Sequence, residues 1–187
     1  MYKLIFKRVI DIVLSSMFLV ITLPVLLCIS FLIKLDSRGP IIFKQARLGL
    51  NGRCFRIYKF RTMVDNAEKI GPKFTSNNDR RITKIGYLLR KTSLDELPQF
   101  INVIKGEMSL VGPRPDIFNE ELDEFLVKRS SVKPGITGYA QVNGRSNLSK
   151  EERDKYDLEY VNNYCLLMDV KIILKTINII ILRKGTN

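Results

Sequence analysis

The chain has 187 residues, 45% of them apolar, and a formal net charge of +12 with no histidine. That length holds one domain with a real core rather than two, and the apolar content excludes a disordered chain. The missing histidine excludes Ser–His and Cys–His nucleophile pairs, His-ligated zinc and a His general base.

Chemistry here must come from carboxylates, Lys and Arg, hydroxyls, or a hard cation held by oxygen. Cys28, Cys54 and Cys165 are too far apart to read as a metal or disulfide framework. The positive charge calls for an anionic partner: nucleic acid, a membrane surface or a phosphorylated substrate.

Residues 12–33, IVLSSMFLVITLPVLLCISFLI, carry no charge. As a helix they would reach about 33 Å at ~1.5 Å per residue, enough to cross a bilayer. The run is too long for a signal peptide, and no small-x-small cleavage site follows it. Lys3, Lys7 and Arg8 precede it, and Lys34, Arg38, Lys44 and Arg47 follow it. The positive-inside rule therefore puts both ends on the cytoplasmic side. Pro24, near the middle, breaks the hydrogen-bond ladder, and Thr22 is placed to satisfy a freed carbonyl. These features predict a re-entrant helix–break–helix within residues 1–37, with a kinked transmembrane helix as the alternative. Residues 38–187 then form one cytoplasmic domain at the membrane interface.

In that domain, Ile41–Phe43 and Phe55–Phe60 have strand character, and Asn51-Gly52 predicts a type I′ hairpin turn. Residues 64–80 read as polar loop with a helical turn. Ile82, Ile85, Leu88 and Leu89 have helical spacing among Arg81, Lys84, Arg90 and Lys91, predicting a basic amphipathic helix over 81–92. Further helices are predicted over 93–104 and 116–129, separated by the rigid Gly112-Pro113-Arg114-Pro115. A glycine-containing loop covers 133–145, and an acidic, tyrosine-bearing helix follows at about 149–163. The last helix, 166–182, puts Lys171, Lys175 and Asn178 on one face. Two lysines argue against a span and for a helix lying on the bilayer. The fold class expected is α+β, mainly α.

Asp95 and Glu96 lie in KTSLDELPQF (91–100). Helix neighbours point about 100° apart, so they are no face-to-face acid–base pair. Ser93 and Glu96 match a capping box, a purely structural reading. The same helix N-terminus also suits phosphate. There one carboxylate can attack phosphorus and a second can hold Mg²⁺. Arg114, fixed between Pro113 and Pro115, fits phosphate oxygens bidentately, although Pro-X-Pro turns are ordinary. Asn143-Gly144-Arg145 lets backbone N–H groups and a guanidinium approach an anion. No Walker motif or G-x-G-x-x-G occurs.

Several blocks together resemble the small monotopic phosphoglycosyl transferases of the bacterial sugar transferase family: KRVID (7–11), YKFRTM (58–63), TSLDELPQFINVIKGEMSLVGPRP (92–115) and KPGITGYAQVNGR (133–145). The resemblance implies transfer of a sugar 1-phosphate from a UDP-sugar to polyprenyl (undecaprenyl) phosphate through a phosphosugar–Asp95 intermediate, with release of UMP. It implies Glu96, with Asp95, at Mg²⁺. Arg114, Arg145 and Pro113 would lie at the diphosphate or nucleotide, and Arg90 at the lipid phosphate. Lys59 and Arg61 match the family's basic strand end. It also implies the inner membrane, with catalysis on its cytoplasmic face, no nucleic-acid partner, and an oligomeric state that allows a homodimer. Two departures stand out. Leu23-Pro24 replaces the family's Ser-Pro, and 162–169 lacks the usual tryptophan. The rival reading is a non-catalytic membrane protein that binds polyprenyl phosphate or nucleic acid.

Overall fold

The computed structural model describes residues 5–71, 79–144 and 147–182. The elements are α1 (Lys7–Asp36), β1 (Ile42–Leu48), β2 (Cys54–Phe60), α2 (Ala67–Ile70), α3 (Lys84–Thr92), α4 (Gln99–Lys105), β3 (Ser109–Val111), α5 (Glu124–Arg129), β4 (Gly135–Thr137), α6 (Tyr139–Asn143), α7 (Lys150–Asn163) and α8 (Leu166–Leu182). The fold is mainly helical α+β. It has two small sheets, β1–β2 antiparallel and β3–β4 parallel.

Among the described residues, α1 is the one helix long and apolar enough to cross a membrane. Helical structure runs through Pro24 instead of stopping there. Proline removes the N–H that would reach the Val20 carbonyl. Thr22 does not replace it: its hydroxyl donates to the Phe18 carbonyl at 2.7 Å, a back-bond of the kind that bends helices. Val20, Ile21, Leu23, Val25 and Leu27, around the proline, are exposed.

Both ends of α1 are tied to the rest of the protein. Arg8 donates to the carbonyls of Val103 and Ile104 at the end of α4. Asp11 accepts the Leu110 N–H at 3.1 Å. At the far end Ile29 and Ile33 pack on Phe60 and Leu89, and Asp36 accepts the Ile85 N–H at 2.9 Å. Midway, Phe18 stacks on Phe100 with ring centroids 4.3 Å apart.

The first strand of the hairpin runs on past Phe43 to Leu48, and its turn follows the sequence. Asn51 (φ 54°) and Gly52 (φ 76°) both have positive φ, and the Arg53 N–H reaches the Leu50 carbonyl at 3.2 Å. This is the type I′ pattern. Phe55, Ile57 and Lys59 share one face of β2, and register puts Arg47 of β1 on that same face. Phe55 and Ile57 pack with Val103 and Met108. Phe60, on the opposite face, packs under α1 and α3. Gly86 of α3 lies directly on that strand's exit, where a Cβ would stand 2.0 Å from the Thr62 carbonyl oxygen.

Three predicted elements differ. The helix over 93–104 is split into a 3-10 turn, Leu94–Glu96, and α4. Ser93 is left-handed (φ 57°) and ends α3, so it makes no side-chain cap; the capping box at Ser93 and Glu96 is absent. An N-cap needs extended backbone, which Ser93 has given up. A capping box does form at Ser149 and Glu152, opening α7. The helix over 116–129 contracts to α5, because residues before it run beside β1. Leu48 N–H donates to the Asp116 carbonyl at 2.9 Å and Phe118 N–H to the Ala46 carbonyl at 3.3 Å. Those strand-edge bonds outcompete helix. The glycine loop over 133–145 contains β4 and α6, and Gly112 and Gly135 let β3 and β4 approach: a Cβ on Gly135 would meet the Gly112 nitrogen at 2.1 Å.

The third core cluster joins Val111 of β3, Val132, Tyr160 of α7 and Ile172 of α8. Ile172 is buried, while Leu167, Val170, Leu174 and Ile177 form an exposed apolar stripe on α8. Of the bulky residues in the tryptophan-free stretch, Met168 packs against this cluster and Leu167 is exposed.

Candidate active site

The 3-10 turn between α3 and α4 carries Asp95 and Glu96 where α3, α4, the hairpin and the Gly112–Pro115 turn meet. Lys59 arrives by strand alternation, continuing the inward face of Phe55 and Ile57. Its ammonium donates to Glu96 Oε1 at 2.7 Å. Arg114 reaches the same oxygen at 3.4 Å. The Arg114 side chain is 58% exposed and the Glu96 side chain 24%, so the guanidinium reaches into solvent over a half-buried carboxylate.

The two carboxylates are driven apart in acidity. Burial, then the charge of Glu96, pushes Asp95 up to about 6, against the pull of Lys59 and Arg90. Burial also raises Glu96, but Lys59 and Arg114 outweigh it and hold Glu96 below the usual carboxylate range. Separated titrations of adjacent acids are frequent at functional sites. Arg90, at the end of α3, donates from Nε to Thr62 Oγ1 at 2.8 Å. Burial lowers its pKa, and the nearby charge of Asp95 raises it.

A small open pocket sits over Glu96, lined by Arg47, Ile57, Lys59, Gln99, Arg114 and Pro115, with Gly135 and Ile136 at its edge. Arg47, Lys59 and Arg114 bring three positive charges against the one carboxylate of Glu96. Burial, then repulsion by Arg114, lowers the pKa of Arg47. A pocket with this surplus suits a multiply charged anion.

Of the residues expected from sequence, the structure brings Asp95, Glu96, Lys59, Arg90 and Arg114 together, with Pro113 framing the Arg114 turn. Arg61 is not among them. It is buried and donates to the Ser37 carbonyl at 2.7 Å and hydroxyl at 2.9 Å, beneath the end of α1. Arg145 lies outside the described residues. Sequence reasoning missed Arg47 and Gln99. Arg47 had one signal: alternation in β1 puts Gln45 and Arg47 on the inward face, and an inward polar pair asks for a partner. Gln99, buried at the start of α4, had none.

Comparison with known proteins places the chain in a family. The family described as bacterial sugar transferase matches residues 2–183. The UDP-glucose:undecaprenyl-phosphate glucose-1-phosphate transferase of Escherichia coli (strain K12) is 47% identical over 91% of this chain and 39% of its own length. The UDP-N-acetylgalactosamine-undecaprenyl-phosphate N-acetylgalactosaminephosphotransferase of Aeromonas hydrophila is 44% identical over 94% of this chain and 43% of its own. This chain thus spans about two fifths of those relatives. The uncharacterized sugar transferase EpsL of Bacillus subtilis (strain 168) is 40% identical over 97% of this chain and 90% of its own length. With a match across nearly its whole length, the chain belongs to the bacterial sugar transferase family.

Proposed function

We propose that this protein transfers a sugar 1-phosphate from a UDP-sugar to polyprenyl phosphate at the cytoplasmic face of a bacterial inner membrane. The observation that carries the reading is the Asp95–Glu96 pair: one carboxyl raised to about 6 and its neighbour held ionised beside Lys59 and Arg114. In the first step an Asp95 carboxylate oxygen attacks the β-phosphorus. The bond from that phosphorus to the bridging oxygen breaks, and UMP leaves with the oxygen. In the second step an oxygen of polyprenyl phosphate attacks the same phosphorus and frees Asp95, leaving a polyprenyl-diphosphate sugar. Arg47, Lys59 and Arg114 bind the diphosphate, and Arg90 lies on the side of Asp95 toward α3, placed for the lipid phosphate.

The donor set suits Mg²⁺. Among the described residues no three His, Cys, Asp or Glu side chains converge, and Mg²⁺ is commonly held by one or two carboxylates plus substrate phosphates. Lys59 and Arg114 both contact Oε1 of Glu96; Glu96, with Asp95, would hold the ion together with substrate phosphate. Bound there, the metal would offset charge on the diphosphate.

The ties on α1 support a re-entrant membrane arrangement. As a straight rod its 30 residues would extend about 45 Å, yet charged groups at both ends hold one body through Arg8, Asp11 and Asp36. A re-entrant helix keeps both ends on one side, with the exposed apolar stretch around Pro24 in the leaflet. The apolar stripe of α8 and exposed Tyr87 and Leu88 of α3 then rest on the same surface.

The relatives named above act on glucose and N-acetylgalactosamine donors, so the sugar must be found by assay. A panel of UDP-sugars with Mg²⁺ and a short-chain polyprenyl phosphate should give UMP from at least one donor, measured by coupled detection of the nucleotide. Lipid-bound protein that releases no UMP from any donor would remove the reading.

A further inference from the structure

The Pro113–Asp116 turn, which presents Arg114 to Glu96, is held by its backbone to an unusual degree. Four consecutive carbonyls are occupied. Gly135 N–H donates to Pro113 at 2.9 Å and Leu48 N–H to Asp116 at 2.9 Å. The two between them are taken by guanidinium groups: Arg129 Nη2 on Arg114 at 2.6 Å and Arg47 Nη1 on Pro115 at 3.0 Å. Proline at 113 and 115 restricts φ at those positions, so little backbone freedom is left beneath an exposed side chain.

Arg129 is the more committed of the two. It closes α5 with a side chain only 6% exposed. Nε donates at 2.7 Å to Asp157 of α7, whose side chain is 1% exposed. Nη1 pairs with the Asp116 carboxylate. All three guanidinium nitrogens are therefore used, in a planar fork that a lysine cannot reproduce. Burying such a pair gains little net stability over an apolar substitute. Its directional bonds nevertheless fix the orientation of what it touches, here the main chain of Arg114.

We propose that Arg129, anchored by Asp157, is a positioning residue for Arg114. With Arg47 it clamps the turn, so that the Arg114 guanidinium meets the donor diphosphate already oriented. Arg129 touches no reacting atom; its whole effect on turnover passes through Arg114. This rests on the transfer reaction proposed above.

The test combines enzyme kinetics with amide hydrogen exchange on the full chain. Arg129→Lys should raise KM for the UDP-sugar roughly tenfold with a smaller change in kcat. The amides of Leu48 and Gly135, which donate to carbonyls of the turn, should exchange faster, while those of α4 should not. In an Arg114→Ala background the same substitution should cost less than about twofold, because acting through one residue makes the effects non-additive. Should Arg129→Lys fail to fold, Asp116→Ala releases one prong from a carboxylate whose side chain is 48% exposed. It should show the same faster exchange and the same loss of effect beside Arg114→Ala. Unchanged exchange at the turn, or losses that multiply with Arg114→Ala, would overturn the proposal. A parent protein that releases no UMP would count against the transfer reading alone, since exchange still decides whether the turn is clamped.

Discussion

Asp95→Asn should leave a folded protein whose UMP release falls at least about a thousandfold, since an amide cannot form the acyl phosphate that the first step requires. The environment of Asp95 adds a signature to that loss. Its carboxyl titrates at about 6, pushed there chiefly by burial and then by Glu96. A nucleophile must be ionised, so single-turnover UMP release in the parent should fall as pH drops through about 6. Stability runs the other way. The folded state holds the proton more tightly than the unfolded chain, whose value is near 3.8. Ionising Asp95 therefore costs stability as pH rises through that window. Asparagine carries no such cost. The variant should be more stable than the parent at pH 7.5, on the order of 1–2 kcal/mol after screening of a partly exposed group. The two should melt together below about pH 4. Stopped-flow nucleotide release and melting curves across pH check both halves.

Glu96→Gln should lower turnover about a hundredfold or more, but with a different pH response. Glu96 accepts from Lys59 at 2.7 Å and Arg114 at 3.4 Å, and its charge is one cause of the raised Asp95 titration. Neutralising it leaves Arg47, Lys59 and Arg114 without their shared counter-charge. Asp95 should then ionise more easily, and the acid limb of the remaining activity should move to lower pH. The Mg²⁺ concentration needed for half-maximal rate should rise, because the carboxylate proposed to hold the ion has lost its charge. A rate profile over pH at several Mg²⁺ concentrations separates these effects. An unmoved acid limb would mean that Glu96 does not set the acidity of Asp95.

What was legible in the sequence divides along physical lines. Hairpin alternation and the Asn51-Gly52 turn are local, and they brought Lys59 to the inward face. The apolar and charged periods of α3, α7 and α8 were likewise local: α7 and α8 lie where the spacing put them, while α3 starts only at Lys84 and leaves Arg81 and Ile82 before it. Asp95, Glu96 and Arg114 were found because motif blocks carried them, and the ion pairs on Glu96 connect the two blocks. The Ser93–Glu96 capping pattern misled, because the left-handed Ser93 closes α3 and its side chain caps nothing. The acidic stretch before α5 was misread as helix, since its pairing with β1 is a long-range contact that propensity does not encode. Arg61 looked like Lys59 in sequence, but it lies just past the end of β2 and is buried at the end of α1, where Ser37 takes it. Strand alternation in β1 was the one signal for Arg47, whereas Arg129 acts on the backbone carbonyl of Arg114, a kind of contact with no side-chain signature.

The central claim, that the Asp95 carboxylate becomes bonded to phosphorus, is tested most directly by trapping. Protein mixed with a reactive UDP-sugar and Mg²⁺ in the absence of lipid is acid-quenched and its intact mass recorded. One phosphosugar per chain should appear, map to the peptide containing Asp95, and disappear when polyprenyl phosphate is added. UMP formed only when both substrates are present, with the protein mass unchanged throughout, would contradict it.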